Sequence, residues 1–329
     1  MERPPRRRRK SRSGQILFAR KWDCPRWTGT RPKGIQIGEV RRSVPNFVSG
    51  YCARPRVEAS SADDYPSVER LFVKAVILAG GVGSRLAEET VLRPKPMVEI
   101  GGRPIIWHIM KTYSHHGINE FIICLGYKGY LIKEYFVNFV LHHTDVTVDL
   151  ERHEVIYHDV APTPWRVTLV ETGETSMTGG RLARIGKYLA PNETFCMTYG
   201  DGLSDIDITA LTAFHEKQKV DATVTVVQTP GRFGSVRMRG ASITEFVEKP
   251  PSDSGHINGG FFVLNRRVLD RIADDQTVWE QEPLASLARD RQLAGYQHRG
   301  FWQPMDTLRD RTQLEALWAT GKAPWKVWE

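Results

Sequence analysis

The apolar run Val73 to Ala79 breaks without a spacer into Gly80-Gly81-Val82-Gly83-Ser84-Arg85. A run of that length suits a buried strand, and a glycine cluster at its end lets the backbone turn sharply and approach a ligand. Pro104 to His116 follows, with Ile105, Ile106, Ile109, Met110 and Tyr113 at helical spacing behind a proline suited to a first turn. The order strand, loop, helix then repeats: Glu120 to Leu125 predicts a strand and Tyr130 to His142 a helix. Thr194 to Tyr199 predicts another strand ending in Gly200-Asp201-Gly202, ahead of a helix near Asp205 to Lys217. Such alternation builds an α/β fold with a mainly parallel sheet and helices on both faces. Ligands of these sheets gather at the carboxyl ends of the strands, where the glycine loop and Asp201 fall.

After Val220 the spacing shortens. Strands are predicted at Ala222 to Gln228, Ser235 to Met238, Ile243 to Glu248 and Gly259 to Leu264, and helices at Val268 to Ile272, Glu282 to Arg289 and Asp306 to Thr320. The expectation is therefore a Rossmann-like mixed sheet with a smaller antiparallel part. No repeat of 20 to 50 residues is visible, which argues against solenoids and propellers.

Residues 1 to 72 obey different physics. They hold 17 Lys+Arg against 7 Asp+Glu, a net of +10, so more than the whole formal +8 of the 329-residue chain sits there and residues 73 to 329 come to −2. The segment carries an Arg6 to Arg9 block and seven prolines, with neither helical nor strand periodicity. It cannot bury enough apolar area to offset its ordering entropy, so it is expected to be a disordered extension. It also reads as translated upstream sequence, since Val73 stands where a compact enzyme would begin and valine can be encoded by an alternative start codon. A near-neutral remainder argues against a nucleic-acid-binding surface. No apolar stretch approaches a membrane span, and Arg6 to Lys10 leads into Ser-Arg-Ser-Gly rather than a signal-peptide hydrophobic region. Cys124 and Cys196 lie in apolar runs without metal-ligand spacing and read as buried thiols, so the expected compartment is the reducing cytoplasm. The histidines at 108, 115, 116, 142 and 143 fall at helical positions without neighbouring Cys or carboxylate ligands and read as ordinary helix residues.

The glycine loop is followed by Arg93-Pro94-Lys95-Pro96-Met97. Arg85 and Lys95 bring positive charge to the end of the sheet where backbone amides can meet phosphate oxygens, which suits a triphosphate. The loop lacks the third glycine of a dinucleotide fingerprint and the Gly-Lys-Ser/Thr of a Walker loop. Together, Leu78 to Leu86 and Pro94-Lys95-Pro96-Met97 resemble the signature of sugar-phosphate nucleotidylyltransferases. The resemblance continues through Gly126-Tyr127-Lys128-Gly129, Thr178-Gly179-Gly180-Arg181, Tyr199-Gly200-Asp201-Gly202, Glu248-Lys249-Pro250, Asn258-Gly259-Gly260 and Phe301-Trp302-Gln303-Pro304-Met305-Asp306. It spans Val73 to the end, and within the family it is strongest to members that join CTP and glucose 1-phosphate.

The resemblance implies transfer of a nucleotidyl group to a sugar phosphate with release of pyrophosphate, assisted by Mg2+ held by Asp201 and Asp306. It implies Arg85 at the pyrophosphate and Lys95 near the α-phosphate, with Leu78, Ala79, Gly80, Gly81, Gly83 and Ser84 forming the nucleotide loop. Thr178, Gly179, Gly180 and Arg181 are assigned to the nucleobase, the Arg181 fork suiting the O2 acceptor of cytosine. Tyr199, Gly200, Glu248, Lys249, Asn258, Gly259 and Trp302 are assigned to the sugar phosphate, with Lys249 on its phosphate and Glu248 on its hydroxyls. A homo-oligomer, as large as a hexamer, is a further implication. Thymidylyl or uridylyl transfer, and a non-catalytic nucleotide-sugar sensor, remain as alternatives.

Overall fold

In the computed structural model, which describes residues 73–228, 235–239, 242–247 and 256–329, the first apolar run forms β1 (Ala75–Leu78), buried throughout. Residues 1–72 and the pair Glu248-Lys249 lie outside the described residues. All of the described residues belong to the unit Pro66–Glu329. Beyond the glycine loop come α1 (Ala87–Thr90), a small hairpin of β2 (Glu99–Ile100) and β3 (Arg103–Pro104), α2 (Ile105–His115), β4 (Glu120–Leu125) and α3 (Gly129–Val137). The chain continues through β5 (Asp145–Asp149), β6 (Glu154–His158), β7 (Arg166–Glu171), α4 (Thr178–Arg184), β8 (Thr194–Tyr199), β9 (Gly202–Ser204) and α5 (Ile208–Gln218). The remaining elements are β10 (Ala222–Val227), β11 (Ser235–Arg239), β12 (Ser242–Val247), β13 (Ile257–Asn265), α6 (Glu282–Arg289), β14 (Leu293–His298), β15 (Trp302–Pro304) and α7 (Leu308–Ala319).

Seven strands form one sheet in the order β14-β10-β13-β8-β1-β4-β7. The pairs β8-β1, β1-β4, β4-β7 and β10-β14 are parallel, while β13 runs antiparallel between β8 and β10. The sheet is thus mixed and mainly parallel, as the alternation predicts. The antiparallel character expected after Val220 enters this same sheet through β13, while β11 and β12 pair with each other in a separate ribbon. Alternate residues of β1 serve two core layers. Ala75 and Ile77 face a layer with Ile105, Ile109, Ile208, Leu211 and Leu314, whereas Val76 and Leu78 face one with Leu182, Phe262, Trp279 and Leu287.

Two expectations shift. The helix predicted to reach His142 ends at Val137, and in place of the helix predicted at Val268 to Ile272 there is a 3-10 turn, Arg266–Arg271, capped by the Asn265 side chain on the Arg267 amide. Strands β7 and β14 at the two sheet edges, and the exposed hairpin β5-β6, have no counterpart in the sequence reading. Edge strands need bury only part of their surface, so Leu293–His298 carries no apolar run to reveal it. Cys124 and Cys196 are buried as expected, and burial pushes both thiols up to about 12. No helix among the described residues is long and apolar enough to cross a membrane.

The segment after α7 returns to α2. His108 is buried, with Nε2 2.9 Å from the Ile100 carbonyl, and the Trp325 indole N–H donates to its Nδ1 at 3.4 Å. Both contacts require the neutral ring protonated on Nε2. Burial pulls the His108 pKa down to about 4. Because the unfolded chain then binds the proton more readily, this group's contribution is complete above about pH 6.5 and is lost as pH falls toward 4. In thermal melts, the stability advantage of the parent over His108→Gln is therefore expected to shrink between pH 7 and pH 4.5.

Candidate active site

Three strand ends meet where the glycine loop leaves β1, and one side chain fastens them together. Arg181, in α4, is buried and donates to the carbonyls of Gly80 (3.0 Å), Leu125 (3.1 Å), Gly173 (2.8 Å) and Glu174 (3.3 Å) and to the Thr172 hydroxyl (2.8 Å). These acceptors follow β1, close β4 and follow β7. Burial lowers the guanidinium pKa, and the ring of oxygens offsets that desolvation.

In this structure residues 178–181, expected at the nucleobase, also pack against the protein's own loops. The Arg181 fork is engaged by the protein's own loops, and the Gly179 and Gly180 amides both donate to the Thr277 carbonyl, at 2.9 and 3.3 Å. A Cβ on Gly179 would lie 2.6 Å from that carbonyl oxygen, and one on Gly180 would lie 2.5 Å from the Asp275 backbone. Glycine is needed at both positions so that residues 275–277 can pass. Leu78, Ala79 and Gly80 are likewise buried, with the Leu78 carbonyl accepting from the Gly200 amide, the Ala79 amide donating to the Cys124 carbonyl, and the Gly80 carbonyl accepting from the Tyr127 amide. The open part of the loop is Gly81, Val82, Ser84 and Arg85, all exposed.

The charged residues converge beside this open loop. Lys95 sits on a 3-10 turn with its side chain only 10% exposed, and its Nζ lies 2.6 Å from Asp201 Oδ2 and 2.8 Å from Asp306 Oδ1. Arg85 Nη1 reaches Asp306 Oδ2 at 2.9 Å. Two features bring the aspartates together. Gly200 lets the end of β8 pass Pro96, whose Cγ would stand 2.9 Å from any Cβ at that position. Beyond it β9 pairs antiparallel with β15, and the Met305 amide donates to the Asp201 carbonyl at 2.8 Å, which sets Asp306 beside Asp201. Thr307 then caps α7 in a reciprocal capping box with Asp310, fixing the backbone just after Asp306.

The sugar-side residues form a second group. The Trp302 indole N–H donates to the Gly259 carbonyl at 2.6 Å, and the Asn258 side-chain carbonyl accepts from the Gly260 amide at 2.7 Å. Asn258 Nδ2 lies 3.5 Å from the Tyr199 hydroxyl. A register shift in the β10-β13 pairing between Val224 and Val226 falls just before Asn258 meets Val226. Glu280, absent from the sequence reading, touches this group: its carboxylate accepts from the Tyr199 hydroxyl and, at 2.6 Å, from Thr178. Nothing in its local sequence, Trp279-Glu280-Gln281-Glu282, distinguishes it from a helix-flanking acidic pair.

Two carboxylates beside an exposed glycine loop suit a hard divalent cation, which takes few carboxylates alongside phosphate and water oxygens. Asp201 and Asp306 are the residues placed to supply them, and among the described residues no cluster of three or more metal-ligating side chains offers an alternative.

A family model described as nucleotidyl transferase matches residues 74–303. The glucose-1-phosphate cytidylyltransferases of Salmonella typhimurium and Salmonella typhi are each 57% identical over 257 residues, taking in 78% of this chain and the whole of each relative. The chain belongs to the nucleotidyl transferase family. It is a nucleotidyltransferase enzyme of the sugar-phosphate type. HddC from Yersinia pseudotuberculosis shares the fold, with a TM-score of 0.54 at 21% identity, covering 75% of this chain and 99% of that one.

Arg181→Lys is expected to destabilise the enzyme by about 3 kcal/mol or more in urea unfolding, because lysine cannot span the loop oxygens and leaves several buried carbonyls unpaired. A change in nucleotide preference at unchanged stability would mark Arg181 as a reader of the base.

Proposed function

We propose that this enzyme transfers CMP from CTP to α-D-glucose 1-phosphate, giving CDP-glucose and pyrophosphate, with Mg2+ as the cation. The observation that carries the reading is the convergence of Arg85, Lys95, Asp201 and Asp306 at the open glycine loop; the 57% identity to the Salmonella cytidylyltransferases supports the choice of substrates.

The sugar phosphate presents its nucleophilic oxygen already as an anion, so no general base is required. A bond forms from that oxygen to the α-phosphorus, and the bond to the bridging oxygen breaks, sending its electron pair to pyrophosphate. The demands on the protein are alignment and charge. Lys95, Arg85 and the two aspartates sum to zero, so the quartet as it stands offers no surplus for a triphosphate and a sugar phosphate. Asp201 and Asp306 would hold Mg2+, which supplies Lewis-acid neutralisation of phosphate oxygens. Lys95, on its short buried turn, meets charge at the α-phosphate, and the exposed Arg85 meets charge growing on the leaving pyrophosphate. Tyr199, Gly200, Asn258, Gly259 and Trp302 form the sugar side, joined by Glu248 and Lys249.

The catalytic unit is assigned to residues 73–329. A homo-oligomer is also proposed, supported by the hairpin β5-β6, which exposes Val146, Val148, Val155, Ile156 and Tyr157. An isolated two-stranded hairpin is marginal in water, and a second copy would cover it.

With glucose 1-phosphate, pyrophosphate release is expected from CTP and not from dTTP or UTP, equally for the full chain and for a truncation beginning at Val73, with both eluting as multimers in light scattering. Turnover only with dTTP or UTP overturns the base assignment, and no turnover with any nucleotide favours a sensor. Lys95→Ala and Asp201→Asn are each expected to lower turnover by about 100-fold or more, the scale of losing one group aimed at developing charge, in the same assay.

A further inference from the structure

Glu280 stands outside every motif in the sequence, yet the hydroxyls of Thr178 and Tyr199 both converge on it. Its backbone is fixed by its neighbour: Trp279 is fully buried against Phe262, with ring centroids 6.3 Å apart, and the Trp279 amide donates to the Thr178 hydroxyl at 2.9 Å. The Thr178 hydroxyl donates in turn to Glu280 Oε2 at 2.6 Å, and the Tyr199 hydroxyl donates to Oε1. Each carboxylate oxygen therefore receives one protein proton, and the side chain itself is exposed at the pocket rim.

The direction of these bonds matters. A carboxylate only accepts, so the Tyr199 proton points to Glu280 and a lone pair on the phenol oxygen is left for Asn258 Nδ2, at 3.5 Å. The Gly260 amide can only donate, so the atom facing it must be Asn258 Oδ1, 2.7 Å away. The Asn258 amide is thereby oriented at both ends, leaving one Nδ2 hydrogen uncommitted on an exposed residue beside Trp302 and Gly259. Without the carboxylate, the Tyr199 hydroxyl is free to turn its proton toward Asn258, donor would face donor, and the amide would lose its orientation.

We propose that Glu280 is a positioning residue for the sugar phosphate, acting through the Tyr199 hydroxyl to aim the Asn258 amide at a sugar hydroxyl. This rests on the reading of Tyr199 and Asn258 as sugar-side residues. Because the chain of bonds leaves Lys95, Asp201 and Asp306 untouched, its loss is felt in sugar-phosphate binding and not in use of the nucleotide.

The test compares Glu280→Ala, Glu280→Gln, Tyr199→Phe and the double variant Glu280→Ala/Tyr199→Phe with the parent. Steady-state kinetics are followed by pyrophosphate release with each substrate varied, and thermal melts check the fold. Glu280→Ala is expected to raise KM for glucose 1-phosphate about 10-fold with KM for CTP within about 2-fold and an unchanged melt. Glu280→Gln keeps an acceptor for Tyr199 and is expected to recover most of that loss. Tyr199→Phe should match Glu280→Ala, and the double variant should be no worse than either, since groups acting in one chain are not additive. Equal effects on both substrates, no effect, or additive losses in the double variant overturn the proposal. If the parent turns over a different nucleotide or sugar phosphate, the substrate assignment fails on its own, and the same comparison with the pair it does use still decides Glu280.

Discussion

The active rim depends on a buried positive charge that makes no ion pair among its described partners. Arg181 satisfies its guanidinium with four carbonyls and one hydroxyl, drawn from the ends of β1, β4 and β7. Loops after parallel strands have no ladder of their own to hold them, and their carbonyls need donors once buried. A planar donor with five N–H groups serves several loops at once, which a lysine cannot do. The open portion of the glycine loop, from Gly81 to Arg85, is thus an extension of a rigid base rather than a free segment.

On that base, electrostatic assembly is achieved by backbone pairing. Asp201 and Asp306 are 105 positions apart in sequence, and three-residue strands β9 and β15 bring them to the same ammonium. Lys95 offsets the repulsion between the two carboxylates, and Arg85 adds a second cation at Asp306. The pieces come from four separate stretches of chain, and each is anchored by neighbours that take no part in the chemistry: Pro96 under Gly200, Met305 on Asp201, and the Asp310 box under Thr307.

Much of this was legible in the sequence, for identifiable reasons. The buried run at β1, the 3.6-residue spacing in α2 and the Gly-Asp-Gly after β8 each carry a local signature of residue type. The grouping of Arg85, Lys95, Asp201 and Asp306 followed from the family resemblance, since nothing local links positions so distant. The internal contacts of Gly179-Gly180-Arg181 were not legible, for a physical reason. A glycine pair looks the same whether a ligand or the protein's own backbone approaches it, and an arginine that binds carbonyls leaves no mark on the residues it binds, because every residue type has one. Glu280 was illegible for the same reason, its partners being hydroxyls about 80 and 100 positions away.

The pairing of β9 with β15 has a consequence for biosynthesis. Asp306 is delivered more than 200 residues after the glycine loop, at the end of a strand that pairs with one made far earlier. During translation the glycine loop, Lys95 and Asp201 all emerge from the ribosome before Asp306 exists. The network of two cations and two carboxylates can therefore close only late, when β15 pairs with β9.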